Sequence, residues 1–178
     1  MKYRINKRTG DRISEIGIGS SYMFGAGMDE AVRALRRAVE GGINYFDLAA
    51  GDGTTFPIYG EALHDVRKNL FFQIHFGADY SKGTYGWSLD LDTIKRSVDN
   101  QLRALRTDYI DYGFIHCQDE LSDWETYRKN GVYDYIRQLQ KGRRRASYRA
   151  FFPHAGRHSA DSGRRERGYA DVLGQPRL

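Results

Sequence analysis

The sequence predicts an α/β fold built on parallel strands. Three observations carry that expectation. Short apolar runs of strand length alternate with segments whose apolar residues recur every three or four positions. A turn-centred pair of short segments precedes the first alternation. The basic excess lies outside this pattern: Met1–Lys141 carries 19 Lys and Arg against 20 Asp and Glu, whereas Gly142–Leu178 carries nine Arg against three acids.

Tyr3–Asn6 and Ile13–Ile16 flank Thr9-Gly10-Asp11 and predict a small hairpin. Ile16–Gly19 predicts the first core strand, followed by a loop over 20–28. Asp29–Glu40 predicts a helix with Val32, Leu35 and Val39 on its inward stripe. Gly41-Gly42 should end it, because glycine accepts the left-handed conformation without a Cβ clash. Ile43–Leu48 predicts the second strand, residues 49–57 a loop, and Tyr59–Arg67 a short helix. Leu70–Phe76 predicts the third strand. Asp92–Leu105 predicts a helix with Ile94, Val98, Leu102 and Leu105 inward. Ile110–His116 predicts the fourth strand and Val132–Gln140 a further helix. Strands alternating with helices imply helical crossovers between parallel strands. Periodicity leaves open whether the sheet is doubly wound or curled into a barrel.

A chain of 178 residues suits one domain, but a whole (β/α)8 barrel takes about 250 residues. The single cysteine, Cys117, cannot form an internal disulfide. Met1-Lys2-Tyr3-Arg4 leads into no apolar segment of a leader type, and no run of about 18 apolar residues occurs. The expected location is the cytoplasm.

Functional groups in parallel sheets gather at the C-terminal strand ends. Asp47, His75 and His116 stand near the ends of the second, third and fourth strands. Each alone has a structural role open to it, as a cap or a satisfied core histidine. Together they point to one mouth. Gly25-Ala26-Gly27 is only G-x-G and reads as a loop. Cys117 reads as a buried, inert thiol. Asp119, Glu120 and Asp123 read as a solvated acidic loop.

Gly42–Ala49 (GINYFDLA) followed by Tyr59–Leu63 (YGEAL) is similar to the aldo-keto reductase pattern G-x-x-x-F-D-T-A…G-x-A-L. Ser97–His116 (SVDNQLRALRTDYIDYGFIH) resembles that family's S-L-x-x-L-x-x-D-Y-I-D-L-Y-x-x-H. The runs FDLA, TTFPIYGEAL, QIHFGADYS and GFIHCQDE resemble a divergent branch of these oxidoreductases. The resemblance implies the N-terminal half of a TIM barrel over residues 1–142, about four βα units, with an irregular Arg-rich tail over 143–178. It implies NADP(H) as cofactor and a small carbonyl or alcohol as substrate.

Such reductases use an Asp, Tyr, Lys and His tetrad. The phenol gives a proton to the carbonyl while NADPH delivers a hydride. A nearby cation is needed, because a phenol with pKa near 10 is otherwise a poor acid at pH 7. Asp47 matches the family aspartate and His116 the family histidine. An ungapped count places Asp52 at the tyrosine position, and His75 falls at the lysine position. His75 suits general acid work near pH 6.5; Asp52 does so only if burial raises its pKa. Tyr59 is a phenol nearby, on the presumed helix. No residues are assigned to cofactor binding or to a metal. Full-length members of the branch often carry a ferredoxin-like iron–sulfur segment, and one cysteine cannot ligate such a cluster.

Two alternatives remain. Asp47, His75 and His116 suit zinc by ligand type, as in a metal-dependent hydrolase barrel, but no H-x-H or H-E-x-x-H spacing occurs. The arginines of the tail, with Tyr148, Phe151, Phe152 and Tyr169, suit a nucleic-acid-binding module, but no RNA- or DNA-binding motif accompanies them.

The tail has a simpler origin. Read one base later with permitted codons, Gly142–Gly156 yields GVVGRHIGPFSHTP. That run is similar to the family's fifth strand. In the same shifted frame Asp161–Leu178 yields ILDAGNVDMLMFSVNPA, similar to the next helix and strand. Two matches in one frame and in order point to a frameshift near Gly142. Four strands without the rest of a barrel expose edges and invite self-association. The chain as it stands is expected to bind NADPH poorly and to turn over no carbonyl.

Overall fold

The computed structural model describes residues 1–23, 27–49, 53–117 and 120–141. Asp52, Gly25, Ala26, Asp119 and the segment over 142–178 lie outside the described residues.

β1 (Tyr3–Ile5) and β2 (Arg12–Ser14) form the expected antiparallel hairpin, with Tyr3 opposite Ser14. Gly10 supplies the turn at φ 78°. The alternation follows: β3 (Ile18–Gly19), α1 (Met28–Glu40), β4 (Tyr45–Asp47), α2 (Thr55–Leu63) and β5 (Phe71–Phe76). A small hairpin of β6 (Ala78–Asp79) and β7 (Gly86–Trp87) precedes α3 (Leu91–Ala104). β8 (Tyr112–Ile115), α4 (Leu121–Lys129) and α5 (Val132–Lys141) complete the described chain. The sheet runs β3-β4-β5-β8, and every neighbouring pair is parallel.

The pleat sends alternate side chains to opposite faces. Phe46, Phe72, Ile74 and Phe76 face the helices and are fully buried. They pack with Leu35 of α1, Tyr59 and Leu63 of α2, and Ile94 and Val98 of α3. Phe46 meets Tyr59 and Phe72 edge to face at 5.9 and 5.8 Å. The residues between them, Tyr45, Asp47, Gln73 and His75, share the other face with Tyr112 and Phe114. Ring contacts of Tyr45 and Phe71 with Tyr112, at 5.9 and 6.0 Å, link three strands across it. In a closed barrel this face is the interior.

The hairpin β1–β2 covers the N-terminal end of that face. The Tyr112 hydroxyl donates to Asp11 and lies 3.3 Å from the Asn6 amide. Asn44 accepts from Ser14 N–H at 2.8 Å and donates to the Arg12 carbonyl at 2.9 Å. α1 ends as the glycine pair predicts, with Gly42 at φ 93° and its carbonyl accepting from the Tyr3 hydroxyl at 3.0 Å.

Several expectations shift. α2 begins at Thr55 rather than Tyr59 and ends at Leu63. Pro57 lies inside its first turn, where a missing N–H breaks no helical bond. The acidic segment is not simply a loop: Glu120 precedes α4 and Asp123 sits in its first turn, where negative charge suits the helix N-terminus. Cys117 is exposed rather than buried, and its backbone is left-handed at φ 48°. It stands beyond β8, so strand alternation does not govern it. Among the described residues, no helix is long and apolar enough to cross a membrane.

Candidate active site at the mouth of the half barrel

Parallel pairing brings the strand ends level. Asp47 is in register with Gly19 on one side and Gln73 on the other, and His75 is in register with Phe114. His116 follows β8 by one residue, held by its N–H to the Phe76 carbonyl at 2.9 Å. Three groups far apart in sequence thus converge at the C-terminal end of the concave face.

They form one line. His75 Nε2 is 2.8 Å from Asp47 Oδ1, and His75 Nδ1 is 3.0 Å from His116 Nδ1. Where His75 Nε2 carries the ring hydrogen, it donates to the Asp47 carboxylate, which accepts. Two ring nitrogens facing one another need one hydrogen between them. If His75 is neutral, His116 supplies that hydrogen from Nδ1. If His75 is cationic, it supplies the hydrogen itself. The Gln73 side-chain amide sits 3.0 Å from His75 Nε2 and hydrogen-bonds the Tyr45 hydroxyl on its other side. The His75 ring stacks on Phe114 at 6.0 Å. His75 is mostly buried, whereas the Asp47 carboxylate is 42% exposed at the mouth.

The site meets two further groups that the sequence reading did not select. Tyr85, in the turn before β7, places its hydroxyl 2.6 Å from His116 Nε2. Gln73 lies between Tyr45 and His75. The signal for Gln73 was in the sequence: it is the one amide interrupting the apolar run of β5. Tyr85 had no such signal, because a two-residue strand shows no period.

The phenols differ sharply. Tyr59 is fully buried on α2, and its hydroxyl reaches the Gly19 carbonyl at 3.4 Å. Burial first, and Asp47 second, push its pKa far above the ordinary value. The same two causes lead the upward shift of Tyr45, with Tyr112 adding to them. Neither is poised to release a proton at the mouth. Tyr85 is 43% exposed.

Among the described residues, no group of three or more His, Cys, Asp and Glu is arranged to hold a metal ion. The two Nδ1 atoms that a shared metal would use are instead in hydrogen-bond contact with each other. At the end of β3 the Ser20 hydroxyl is buried without a hydrogen-bond partner among the described residues. An orphaned hydroxyl there fits one polar edge of a bound nicotinamide.

Comparison with known proteins agrees with this architecture. The model of the Aldo/keto reductase family matches residues 15–146. The uncharacterized oxidoreductase YqkF of Bacillus subtilis is 31% identical over 134 residues, covering 69% of this chain and 44% of the relative. The L-galactose dehydrogenase of Arabidopsis thaliana is 32% identical over 123 residues, covering 62% of this chain and 36% of the relative. The chain therefore spans less than half the length of these relatives. A crystal structure of a putative aldo-keto reductase from Pseudomonas aeruginosa superposes with a TM-score of 0.68 at 24% identity, covering 83% of this chain and 59% of that one. The fold is half of that barrel. With the family match, the chain belongs to the aldo/keto reductase family.

Proposed function

We propose that this chain carries the proton-handling half of an NADP(H)-dependent carbonyl or alcohol oxidoreductase. The observation that supports it is the hydrogen-bonded line from Asp47 through His75 to His116, at the ends of three successive strands. Asp47 and His116 take the family's aspartate and histidine positions, with His75 at the lysine position and Asp52 at the tyrosine position. An aldo-keto reductase from Klebsiella pneumoniae has been solved with NADP, which supports that cofactor here.

NADP(H), when bound, would provide the hydride chemistry. This chain supplies the proton and its electrostatics. The Asp47 carboxylate lies 2.8 Å from His75 Nε2 and orients that ring at the mouth. His116 orients the carbonyl oxygen at the mouth. The Ser20 hydroxyl is the group this half offers the nicotinamide.

In this reading residues 143–178 are an out-of-frame continuation, and the chain alone is inactive. The test uses two proteins. The 178-residue chain is expected to oxidise NADPH at background rate with aromatic aldehydes. A chain continued in the +1 frame after Gly142 is expected to bind NADPH and reduce aldehydes. In that continued chain Asp47→Asn should lower kcat by at least about tenfold, since each 1.36 kcal/mol of lost transition-state stabilisation is tenfold. Robust turnover by the 178-residue chain would sink the claim of inactivity. A folded continued chain without NADPH affinity would sink the oxidoreductase reading.

A further inference from the structure

We infer that Trp87, from the β6–β7 hairpin, is the positioning residue of His116: its indole N–H holds the backbone from which that ring enters the mouth. The inference rests on the oxidoreductase reading above, in which His116 orients the carbonyl oxygen. Where His116 stands does not depend on the protonation of either imidazole.

The ladder between β5 and β8 breaks off at the histidine. Ile115 is in register with Phe76, and the His116 N–H donates to the Phe76 carbonyl at 2.9 Å. A parallel ladder would next bring the N–H of residue 78 to the His116 carbonyl. The chain turns away at Gly77 instead, at φ 109°, and Ala78 opens β6 opposite Trp87 of β7. The Trp87 indole N–H takes the His116 carbonyl at 3.2 Å. A side chain thus replaces the backbone donor that the departing strand withdraws.

The hairpin aims that indole. Ser88 N–H donates to the Gly77 carbonyl at 2.9 Å, and Ser97 of α3 donates to the Ala78 carbonyl at 2.8 Å. A Cβ on Gly77 would lie 3.3 Å from the Ser88 carbonyl oxygen, 3.6 Å from His116 Cβ and 3.8 Å from the Trp87 indole nitrogen. Only glycine takes that φ freely, so strand end, histidine and indole meet there. Trp87 is 41% exposed, and core packing does not account for it. The next residue supplies a further reason for the bond. Cys117 is left-handed at φ 48°. A residue with a Cβ holds that conformation at a cost, and only where its surroundings fix it. The His116 carbonyl belongs to the peptide unit that leads into Cys117, so the indole bond fixes that plane. His116 is then held at its N–H by β5 and at its carbonyl by the hairpin.

The test begins with the 178-residue chain. Histidine labelled with 13C at the carbonyl and 15N in the ring reports the backbone and the side chain of His116 separately. His64, at the end of α2, is the internal reference. Trp87→Phe keeps a ring and removes the donor. It is expected to shift the His116 carbonyl signal and to broaden or split the His116 ring signals, with His64 unchanged. In the unsubstituted chain the Trp87 indole proton is expected to show a weaker temperature dependence than the indole of N-acetyltryptophanamide in water. That second reading decides the matter if the variant does not fold. In a chain continued in the +1 frame, Trp87→Phe is expected to lower kcat/KM for an aromatic aldehyde about tenfold, the scale of one lost hydrogen bond, with NADPH affinity unchanged. A merely structural role would lower NADPH affinity and Tm together. His116 signals indifferent to Trp87→Phe, an indole proton that behaves as the free one, or an unchanged kcat/KM overturns the inference. A continued chain that binds no NADPH, with the His116 signals as expected, removes the oxidoreductase reading and leaves the indole bond standing.

Discussion

Arg67 and Asp111 form a buried pair away from the mouth, and they show how much one side chain can hold. Both are nearly enclosed, with a 2.7 Å contact between Arg67 Nη2 and Asp111 Oδ2. Arg67 also donates to the carbonyls of Leu70 at 2.9 Å and Tyr109 at 3.0 Å. The carboxylate takes the Phe72 N–H at 2.9 Å, so it ties β5 to β8. Asp111→Ala leaves a buried guanidinium without its counter-charge and should cost about 3–5 kcal/mol, read as a lower urea midpoint. Tyr112 makes a different prediction. Burial, and then its bond to Asp11, push its pKa up to about 12 from 10.0. A folded pKa above the unfolded one stabilises the chain fully below the unfolded value and is lost as pH rises through the folded one. Urea midpoints should therefore fall between about pH 10 and about pH 12, with a shallower fall in Tyr112→Phe. An equal slope in that variant would assign the loss to other phenols.

At the scale of elements, the close approach of α2 and α3 depends on Gly60. A Cβ there would run into the Ala104 carbonyl oxygen and the Leu105 carbonyl carbon. Backbone cannot yield as a side-chain tip can, so Gly60→Ala should destabilise by about 1–3 kcal/mol, with a matching drop in Tm. The start of α3 depends on Asp90, whose Oδ1 accepts from Thr93 N–H at 2.8 Å. The Thr93 side-chain contact and that backbone bond hold its carboxyl below the usual range. This contribution is present above the unfolded pKa and is lost as pH falls through the folded one. Asp90→Ala should lower the urea midpoint at neutral pH and matter less in acid; Asp90→Asn should lose less. The amphipathic helices α1, α3 and α5 were legible because their apolar stripes are continuous. α4 was not: Leu121 stands 70% exposed, and only Tyr127 is buried on it. The β6–β7 hairpin was illegible because pairing, not period, defines it.

At the scale of the whole molecule, the sheet order leaves β3 and β8 as outer strands among the described residues. Open edges and a concave face of half-buried rings favour contact with another surface. Sedimentation of the purified chain should show concentration-dependent self-association; a strict monomer across the range would count against that expectation. Sequencing the gene across the Gly142 codon tests the tail. A +1 frame that continues through a fifth strand and onward supports the out-of-frame reading. Early stops in that frame would make the arginines a genuine segment of this protein.

The sequence by itself determined the alternation of parallel strands and helices, the inward stripes, and the strand ends that carry Asp47, His75 and His116. These follow from periodicity and from two local patterns, which operate over neighbouring residues. Tertiary structure alone decided which groups touch. His75 and His116 are 41 residues apart and share a hydrogen bond only because β5 and β8 pair in one register. Tyr85 reaches His116 only because a hairpin without any periodic signal is clamped by Trp87 and Ser97. Contacts at long separation depend on register and on close approach of backbones, and neither is written in the spacing of residues along one element.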